Sequence, residues 1–405
     1  MAEEILQGVR QGDIKRVIIL DKAKKKRIIV YVSTIILSIV YLFTAYKIAI
    51  GNGVFGDKED VVSVRAKVLR ITDEKETVSE EESGGKISMQ YIFFEAKATS
   101  GKVRGKTLYA VQEKDMLYGL PQPEVEVGDK VILVYDPNDD GTADYYLSDF
   151  SRITPLVMLC AFFFLLILIF GRKKGLDTII SLVFTCLAVF INLIPAILNG
   201  QNIYVWSIVT CVYITVMTLV LIEGLNVKCF AAGGVLVAGA LELLLRDQIK
   251  MSGVLDSEWL YLYNLRKDNP IDLKAIIFAM IIVGAVGAVM DVAMSIASSL
   301  CEINEKSPDL PARELLKSGL TIGRDIMGTM ANTLVLAYIG SALCCMLLMV
   351  TYSSNVSQIL NREQIAVEIL QALAGSIGIL AALPLTAITS VLCLKPLNRI
   401  KRSVH

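Results

Sequence analysis

Histidine is almost absent from this sequence, and its scarcity excludes several classes of enzyme. The 405 residues include a single His, His405. A Ser/His/Asp triad, a His general base and an H-E-x-x-H zinc site all require histidines placed within the fold. We therefore expect no enzyme of these classes and predict no catalytic residues.

Cysteine pairs and excess charge are missing as well. The eight Cys are scattered, mostly inside apolar stretches, and none belongs to a C-x-x-C pair. Charged residues make up 20% of the chain, against about 25% in an average soluble protein. Lys+Arg and Asp+Glu are equal at 40 each, so the basic surface of a nucleic-acid binder is not expected. The composition predicts no disulfide framework, no metal site, no cofactor and no nucleic-acid partner.

Hydrophobic residues are abundant instead, at 54% of the chain with a mean hydropathy of +0.57. A helix needs about 20 apolar residues to cross a bilayer. Eight stretches approach that length: 28–50, 153–170, 177–198, 203–222, 229–245, 273–300, 325–350 and 366–394. The sequence therefore predicts a polytopic α-helical membrane protein of about eight transmembrane helices, with the lipid bilayer as its first partner. Stretch 28–50 is too long for a cleaved signal peptide, which predicts a retained anchor.

The short loops differ in their content of Lys and Arg. If the N-terminus is cytoplasmic, the cytoplasmic loops and C-terminal tail carry about twice as many basic residues as the outer loops. This bias predicts that both termini lie in the cytoplasm. Residues 246–272 mix Trp, Tyr and Leu with charges, and this mixture is typical of a helix lying at the membrane interface.

A polar insert between the first two spans predicts a small all-β domain. Its β-branched and aromatic stretches, at 61–71, 88–98, 103–111 and 125–135, are separated by Gly-rich or charged turns. We predict a small antiparallel barrel or sandwich of five or six strands. The loop 136–144 partly resembles a calcium loop, but Leu147 stands where the bidentate Glu is needed, which favours a plain turn. The predicted organisation is a cytoplasmic basic tail 1–27, a transmembrane anchor 28–50, an extracytoplasmic β domain 51–150 and a seven-helix transmembrane domain 151–400.

Asp291 is the residue that most needs a function, because it lies several residues inside stretch 273–300. A charge at the centre of a span costs about 2.5–3.5 kcal/mol on the insertion scale. Steps of three or four residues connect Asp291 to a stripe of small and polar side chains: Gly284, Gly287, Ala288, Ser295, Ser298 and Glu302. Such a stripe allows close helix packing at Gly284 and Gly287. It predicts that Asp291 faces the bundle interior or a wet cavity.

The next span begins with Arg324 and Asp325, and Asp325, Gly328 and Asn332 share one face of its helix. We interpret Asp291, Arg324, Asp325, Asn332 and Ser295 as a possible substrate or proton site. A pairing of Asp291 with Arg324, or a relay from Asp325 to Asn332, is compatible with the spacing. The alternatives are that Arg324 and Asp325 are solvated residues at a helix start and that Asp291 is structural.

Glycines in three spans predict a tightly packed bundle. Gly328 joins Gly284 and Gly287 in this set, and the last span adds Gly375 and Gly378. Pro384 follows in the last span and predicts a kink or a break there.

Three stretches of the sequence resemble the YibE/F family of bacterial membrane proteins. They are GAVMDVAMSIAS at 287–298, GRDIMGTMANTLVLAYIG at 323–340 and GSIGILAALPLT at 375–386. The resemblance extends to the order of parts, an anchor, a β-rich insert and a multi-span domain. It implies a multi-pass protein of the bacterial plasma membrane, and it implies no catalytic or ligand residues.

Three functions remain open from the sequence. The first is a permease in which the site around Asp291 binds substrate or takes up a proton; since no Walker A stretch is present, an ion gradient or a separate subunit would drive it. The second is a scaffold or sensor whose β domain docks an envelope or secreted protein, for which edge strands are ready sites. The third and weakest is an aspartyl dyad of Asp291 and Asp325, because Arg324 stands where the protease motif G-x-G-D requires Gly. The oligomeric state is open.

Overall fold

The computed structural model describes residues 28–49, 63–80, 86–115, 122–135, 145–222, 240, 250–265, 270–352 and 355–402. It divides into two compact units. One comprises Phe55–Leu166, and the other comprises Met1–Val54 with Ile167–His405. The predicted tail 1–27 and the loop 136–144 lie outside the described residues.

The smaller unit contains a closed five-stranded barrel, which confirms the predicted β domain. Its strands are β1 Ser63–Glu80, β2 Lys86–Ala98, β3 Thr107–Asp115, β4 Lys130–Tyr135 and β5 Tyr145–Phe150. They are arranged in the order β1-β2-β3-β5-β4. The expectation of a purely antiparallel sheet is wrong, because β3 and β5 pair in parallel. The parallel pair arises because β4 lies between them in the chain and pairs with β1 and β5 instead.

Alternating side chains fill the barrel, as a period of two residues requires. Val64, Ala66 and Val68 of β1 are buried and pack against Ile92 and Phe94 of β2 in one cluster. The remaining buried members of that cluster are Ala96, Ala98, Leu108, Ala110, Val125, Val131, Leu133 and Tyr145.

The larger unit is helical, although its second helix begins in the barrel unit. The helices are α1 Ile28–Ala49, α2 Ile153–Leu187, a π-helical segment Ala188–Leu193, α3 Ile194–Leu198, α4 Ile203–Ile222, α5 Ser257–Asn264, α6 Leu273–Lys306, α7 Ala312–Ser341, α8 Leu343–Tyr352, α9 Val356–Leu360 and α10 Glu363–Arg402. Five helical stretches are long and apolar enough to cross a membrane: Ile28–Ala49, Ile153–Leu198, Ile203–Ile222, Leu273–Lys306 and Glu363–Lys395. A sixth span results if α7 and α8, which are bent by 61° at their junction, count as one.

The predicted count of eight helices stays a prediction. Stretch 229–245 lies outside the described residues except for residue 240. Stretches 153–170 and 177–198 fall within one run of 46 helical residues, whose backbone leaves helical geometry at Arg172 with φ 48 and ψ −120. A Cβ on Gly175 would lie 2.4 Å from the Ile167 carbonyl oxygen, whereas residues eight apart in a straight helix are separated by about 12 Å. The chain therefore turns sharply at Arg172, which supports a division of this run into two spans.

Helix α6 is the centre of the helical unit, where it packs against α4, α7 and α10. At one end, Glu363 of α10 accepts hydrogen bonds from Ser252 Oγ at 2.7 Å and from Gly253 N at 2.6 Å. Gly253 in turn contacts Leu273, the first residue of α6. At the other end, Lys395 of α10 donates to the carbonyl oxygen of Leu310, just after α6. Helices α6 and α10 therefore run in the same direction, and α7 returns antiparallel between their ends.

Two local expectations have different outcomes. Of the kink or break predicted at Pro384, the break is wrong, because α10 is helical through that residue, and the kink stays a prediction; neighbouring helices allow a proline inside a membrane helix. The segment 246–272 does contain a helix, α5, whose Trp259 packs against a cluster containing Ile277 and Val367. Its location at a membrane interface stays a prediction.

Candidate functional site

The two sides of α6 differ in chemistry and in burial. The Ile, Val and Met side is buried: Val289 and Ile296 have no exposed surface and belong to the main core cluster. On the other side, Gly287, Asp291 and Ser298 are exposed, whereas Gly284, Ala288 and Ser295 are partly buried. The sequence predicts that Asp291 faces the bundle interior or a wet cavity. In the described part of the chain Asp291 is exposed and the branched side chains make the core contacts, so a position beside a wet cavity stays a prediction.

The polar residues of α7 also lie on an exposed side of their helix. Arg324, Asp325, Gly328, Thr329 and Asn332 are all exposed. The Thr329 hydroxyl donates to the Ile326 carbonyl oxygen at 2.8 Å. The residues that the sequence grouped on one face of α7 therefore remain free of the helical core.

Contacts between α6 and α7 fix the depth of these residues relative to one another. Gly323 of α7 faces Ile296 of α6, and Gly319 faces Leu300. Continuing this antiparallel register by five residues puts Asp291 at the level of Gly328, with Asn332 and Arg324 about one helical turn to either side. The two polar faces thus lie at the same depth on neighbouring helices.

The predicted pairings are not formed at this depth. Within the described residues, no hydrogen bond or ion pair joins Asp291 to Arg324 or Asp325 to Asn332. The ion pair found on α6 joins Glu302 to Lys306 at 2.7 Å, one turn apart near the helix end. The structure therefore places these residues at the same depth but not in direct contact.

The glycines predicted for helix packing fall into two groups. Gly284 and Gly375 are needed for packing, since an added Cβ would lie 2.4 Å from the Tyr338 hydroxyl and 2.7 Å from Leu334 Cδ2, respectively. Gly378 is buried. For Gly287 and Gly328 a packing role stays a prediction, because no described atom lies within 4 Å of a Cβ at either position. They sit on the exposed sides of their helices, where no described neighbour approaches.

Two other glycines of α7, Gly319 and Gly323, also lie close to neighbouring helices and were not singled out from the sequence. A Cβ on Gly323 would lie 2.4 Å from Leu383 Cγ of α10. A Cβ on Gly319 would lie 2.9 Å from Leu300 Cδ1 of α6. Their spacing of four residues is the signal that could have indicated this packing face.

A second polar cluster, also overlooked, lies where α6, α7 and α10 meet. The Tyr338 hydroxyl lies against Gly284 and near the side chains of Gln371 and Glu368. Gln371 is buried, and the Oε2 atom of Glu368 is buried without a hydrogen-bond partner in the described part of the chain. Glu368 lies inside stretch 366–394, so the same rule that indicated Asp291 could have found it.

Together these groups form a ladder along one side of α6. We define the α6 ladder as Gly284, Gly287, Asp291, Ser295, Ser298 and Glu302. Its first residue, Gly284, adjoins the cluster of Tyr338 and Glu368, and its last residue, Glu302, lies near the end of α6. Glu302 follows Gly284 by 18 positions, which corresponds to about 27 Å at 1.5 Å per residue, close to the thickness of the hydrocarbon core, about 30 Å.

Comparison with known families identifies the membrane domain. The family model described as YibE/F-like protein matches residues 159–396, more than half of the chain. Comparison with curated proteins and with solved structures gives no match. The chain belongs to the YibE/F-like family, as the three sequence stretches indicated.

Proposed function

We propose that this YibE/F-like protein is a permease of the bacterial plasma membrane, with both termini in the cytoplasm, and that it is not an enzyme. The α6 ladder, centred on Asp291, is the polar path on which substrate binds or a proton is carried. The observation that supports this proposal is that small or polar residues recur at every turn along this side of α6, with Gly287, Asp291, Ser298 and Glu302 exposed and Gly284 and Ser295 partly buried.

Exposing the Asp291 carboxylate to lipid would cost free energy, and this cost supports a polar path beside it. An unpaired carboxylate at mid-span is unfavourable in hydrocarbon, and such residues normally face water or a polar partner. No described residue neutralises Asp291, so water or substrate along the ladder is the partner that removes this cost. The small side chains of Gly287 and Ser295 leave room beside the carboxylate.

A proton gradient is the simplest drive for this permease. The sequence contains no Walker A stretch for ATP binding. Asp291 and Glu368 carry carboxyl groups inside spans and form no ion pair with Lys or Arg among the described residues. Protonation therefore removes a charge from the span without breaking an ion pair, which is the property that a proton carrier needs.

Reconstituted protein tests the proposal. We would compare wild type, Asp291→Asn and Glu368→Gln at equal folded abundance for uptake driven by a pH gradient, across a panel of ions and small solutes. Glu305→Gln is the matched control, because Glu305 is an exposed carboxylate of α6 that lies outside the ladder. We expect Asp291→Asn to lose at least about tenfold of the flux, which corresponds to about 1.4 kcal/mol in the barrier. Undiminished flux in Asp291→Asn, or no flux in wild type, contradicts the proposal.

A second candidate function is supported by a groove on the barrel. A cavity of about 420 Å³ is lined by Thr72, Asp73, Lys75, Phe93, Phe94, Tyr109 and Ala110. Tyr109 is 58% exposed, and Lys75 Nζ lies 5.4 Å from the centre of the Phe93 ring. Exposed aromatic and basic side chains around a groove are typical of protein interaction sites, so an envelope or secreted protein is the partner in this alternative.

The closed barrel limits where such a partner could add a strand. β1 pairs with β4 only over Ser63–Lys67, so among the described strands its residues from Arg70 to Glu80 are hydrogen-bonded to β2 alone.

Deleting residues 57–149 while retaining the flanking spans separates the two functions. A permease should keep part of its flux after the deletion, whereas a docking protein should lose binding of its partner.

A further inference from the structure

A group of buried polar side chains lies between α1, the π-helical segment and α4, away from the α6 ladder. Six of their atoms have no hydrogen-bond partner within the described residues. They are Tyr41 Oη, Asn192 Nδ2, Asn192 Oδ1, Ser207 Oγ, Thr210 Oγ1 and Tyr213 Oη. Asn192, Ser207 and Thr210 have no exposed surface at all. We call this group the α1–α4 polar cluster.

The Tyr41 side chain adjoins three other members of the cluster, Tyr213, Thr210 and Asn192. The Tyr41 and Tyr213 rings are stacked with their centres 4.2 Å apart and their planes at 19°. The Tyr41 hydroxyl lies beside the side chains of Thr210 and Asn192, but the geometry of these approaches does not make hydrogen bonds. Ser207, Thr210 and Tyr213 follow at intervals of three residues, so they project from neighbouring positions of α4.

Ser207 and Thr210 differ from most hydroxyl residues in these helices. A helical Ser or Thr in apolar surroundings normally donates to the carbonyl four residues earlier. Thr215, one turn beyond Cys211 on the same helix, does so at 2.8 Å, and Thr44 of α1 does so at 2.8 Å. The hydroxyls of Ser207 and Thr210 make no such bond, so they remain available to a group placed between the helices.

The backbone at Asn192 is also exceptional. Residues Ala188–Leu193 form a π-helix, and Ile194 N donates to Val189 O five residues back. Such segments are rare and occur frequently at functional sites, because they shift a side chain and loosen the carbonyl ladder. Here the shifted side chain is the amide of Asn192, which points into the cluster.

The chemistry of the cluster selects one class of ligand. It offers five neutral oxygen atoms and no carboxylate, whereas Ca²⁺ and Mg²⁺ sites rely on carboxylates. It contains no Lys or Arg for an anion. Neutral oxygens can replace the hydration shell of an alkali cation inside a membrane, and broken membrane helices are common places for Na⁺. We propose that the α1–α4 polar cluster binds one dehydrated monovalent cation, with Na⁺ as the probe.

The cluster lies near one end of these helices. Tyr41, Asn192 and Ser207 lie eight, six and four residues from Ala49, Leu198 and Ile203, which mark that end. At 1.5 Å per residue, these separations correspond to about 6–12 Å. Asn199 donates to the Ala49 carbonyl oxygen there, which joins the two chain segments above the cluster.

Thermal unfolding of the full chain in detergent tests the proposal. The melting temperature would be measured with NaCl, KCl, LiCl and choline chloride at constant ionic strength. A cation that binds only the folded state raises Tm with the logarithm of its concentration once that concentration exceeds Kd. In Thr210→Val, which removes one oxygen and keeps the shape, we expect about tenfold more cation to be needed for the same rise in Tm. Thr215→Val is the matched control, and Thr210→Ser restores the hydroxyl; both should behave as wild type.

The outcomes are distinct. A Tm that rises with Na⁺ but not with choline, and that loses this response in Thr210→Val alone, supports the site. The proposal is overturned if every salt acts alike, as water molecules alone in the cluster would predict, or if Thr210→Val responds as wild type. If Thr210→Val does not fold, Tyr41→Phe removes another of the five oxygens and keeps the stacked ring.

Discussion

Gly323 and Gly328 provide a direct test of how α7 packs. They lie five residues apart on one helix, but only Gly323 faces a neighbour. A Cβ on Gly323 would lie 2.4 Å from Leu383 Cγ, 2.8 Å from Leu383 Cδ1 and 3.1 Å from Ile296 Cδ1. Carbon atoms in contact normally lie about 3.5–4.0 Å apart. Gly323→Ala therefore requires Leu383, which is buried, to move by about 1 Å, the difference between those two distances.

The expected magnitude follows from two effects of the added methyl group. Overpacking of a well-packed core costs about 1–3 kcal/mol, and alanine favours a helix over glycine by about 1 kcal/mol. Gly328→Ala has the second effect alone, because nothing lies within 4 Å of its Cβ. Since both variants share the gain in helix propensity, we expect Gly323→Ala to be less stable than Gly328→Ala by about 1–3 kcal/mol.

Thermal unfolding in one detergent and at one scan rate measures this difference. We expect Gly323→Ala to unfold several degrees below Gly328→Ala. If Gly323→Ala proves as stable as Gly328→Ala, α7 does not approach Leu383 of α10 at this residue.

Three further predictions follow from described contacts. Gly253→Ala should destabilise the chain by about 1–3 kcal/mol, because Gly253 has a φ of +91 and a Cβ there would lie 2.7 Å from Leu273 Cβ. Gly287→Ala is the control, since no described atom lies within 4 Å of its Cβ. Gly253→Ala should therefore unfold at a lower temperature than Gly287→Ala. Ser181→Ala should cost about 1–3 kcal/mol, because Ser181 Oγ donates to the buried Thr218 hydroxyl at 2.9 Å; a double-mutant cycle with Thr218→Val that shows no coupling would contradict this hydrogen bond. In the barrel, the Arg70 guanidinium bonded to Glu95 holds the pKa of that carboxyl below its usual range. This stabilisation is complete above the pKa of Glu95 in the unfolded chain, about 4.3, and is lost as the pH falls through the lower pKa of Glu95 in the folded chain. The denaturation midpoints of wild type and Arg70→Gln, followed by a probe in the barrel, should therefore converge at acid pH.

The barrel shows which parts of the fold are local properties of the sequence. Alternation of Val64, Ala66 and Val68 indicates a strand with one buried face, and the structure confirms it. The parallel pairing of β3 with β5 joins residues about 35 positions apart, Ala110 with Tyr145. No local pattern specifies such a partner, because the choice depends on how the whole sheet closes.

Helix α6 shows the same limit for the candidate site. The helical period correctly grouped Asp291 with Gly287 and Ser295, because side-chain spacing is a local property. It could not tell which side the other helices cover, since that depends on α4, α7 and α10 together. The α1–α4 polar cluster was hidden for the same reason: Asn192 and Tyr41 are ordinary polar residues until distant helices bring them together.

The two proposed sites share α6 as a neighbour, which makes their combination testable. Cys211 and Ile214 of α4 belong to the same buried cluster as Val286 and Val289 of α6. A cation that holds α1, α4 and the π-helical segment together would therefore stabilise one arrangement of the helix that carries Asp291. We expect flux driven by the pH gradient to require Na⁺ in wild type, and we expect Thr210→Val to need about tenfold more Na⁺ for the same flux while its dependence on pH stays unchanged. Asp291→Asn should show the opposite separation, with a normal rise of Tm in Na⁺ and no flux. If Na⁺ raises Tm but leaves the flux of wild type unaltered, the cation site is structural and the coupling argument fails, although the permease proposal stands.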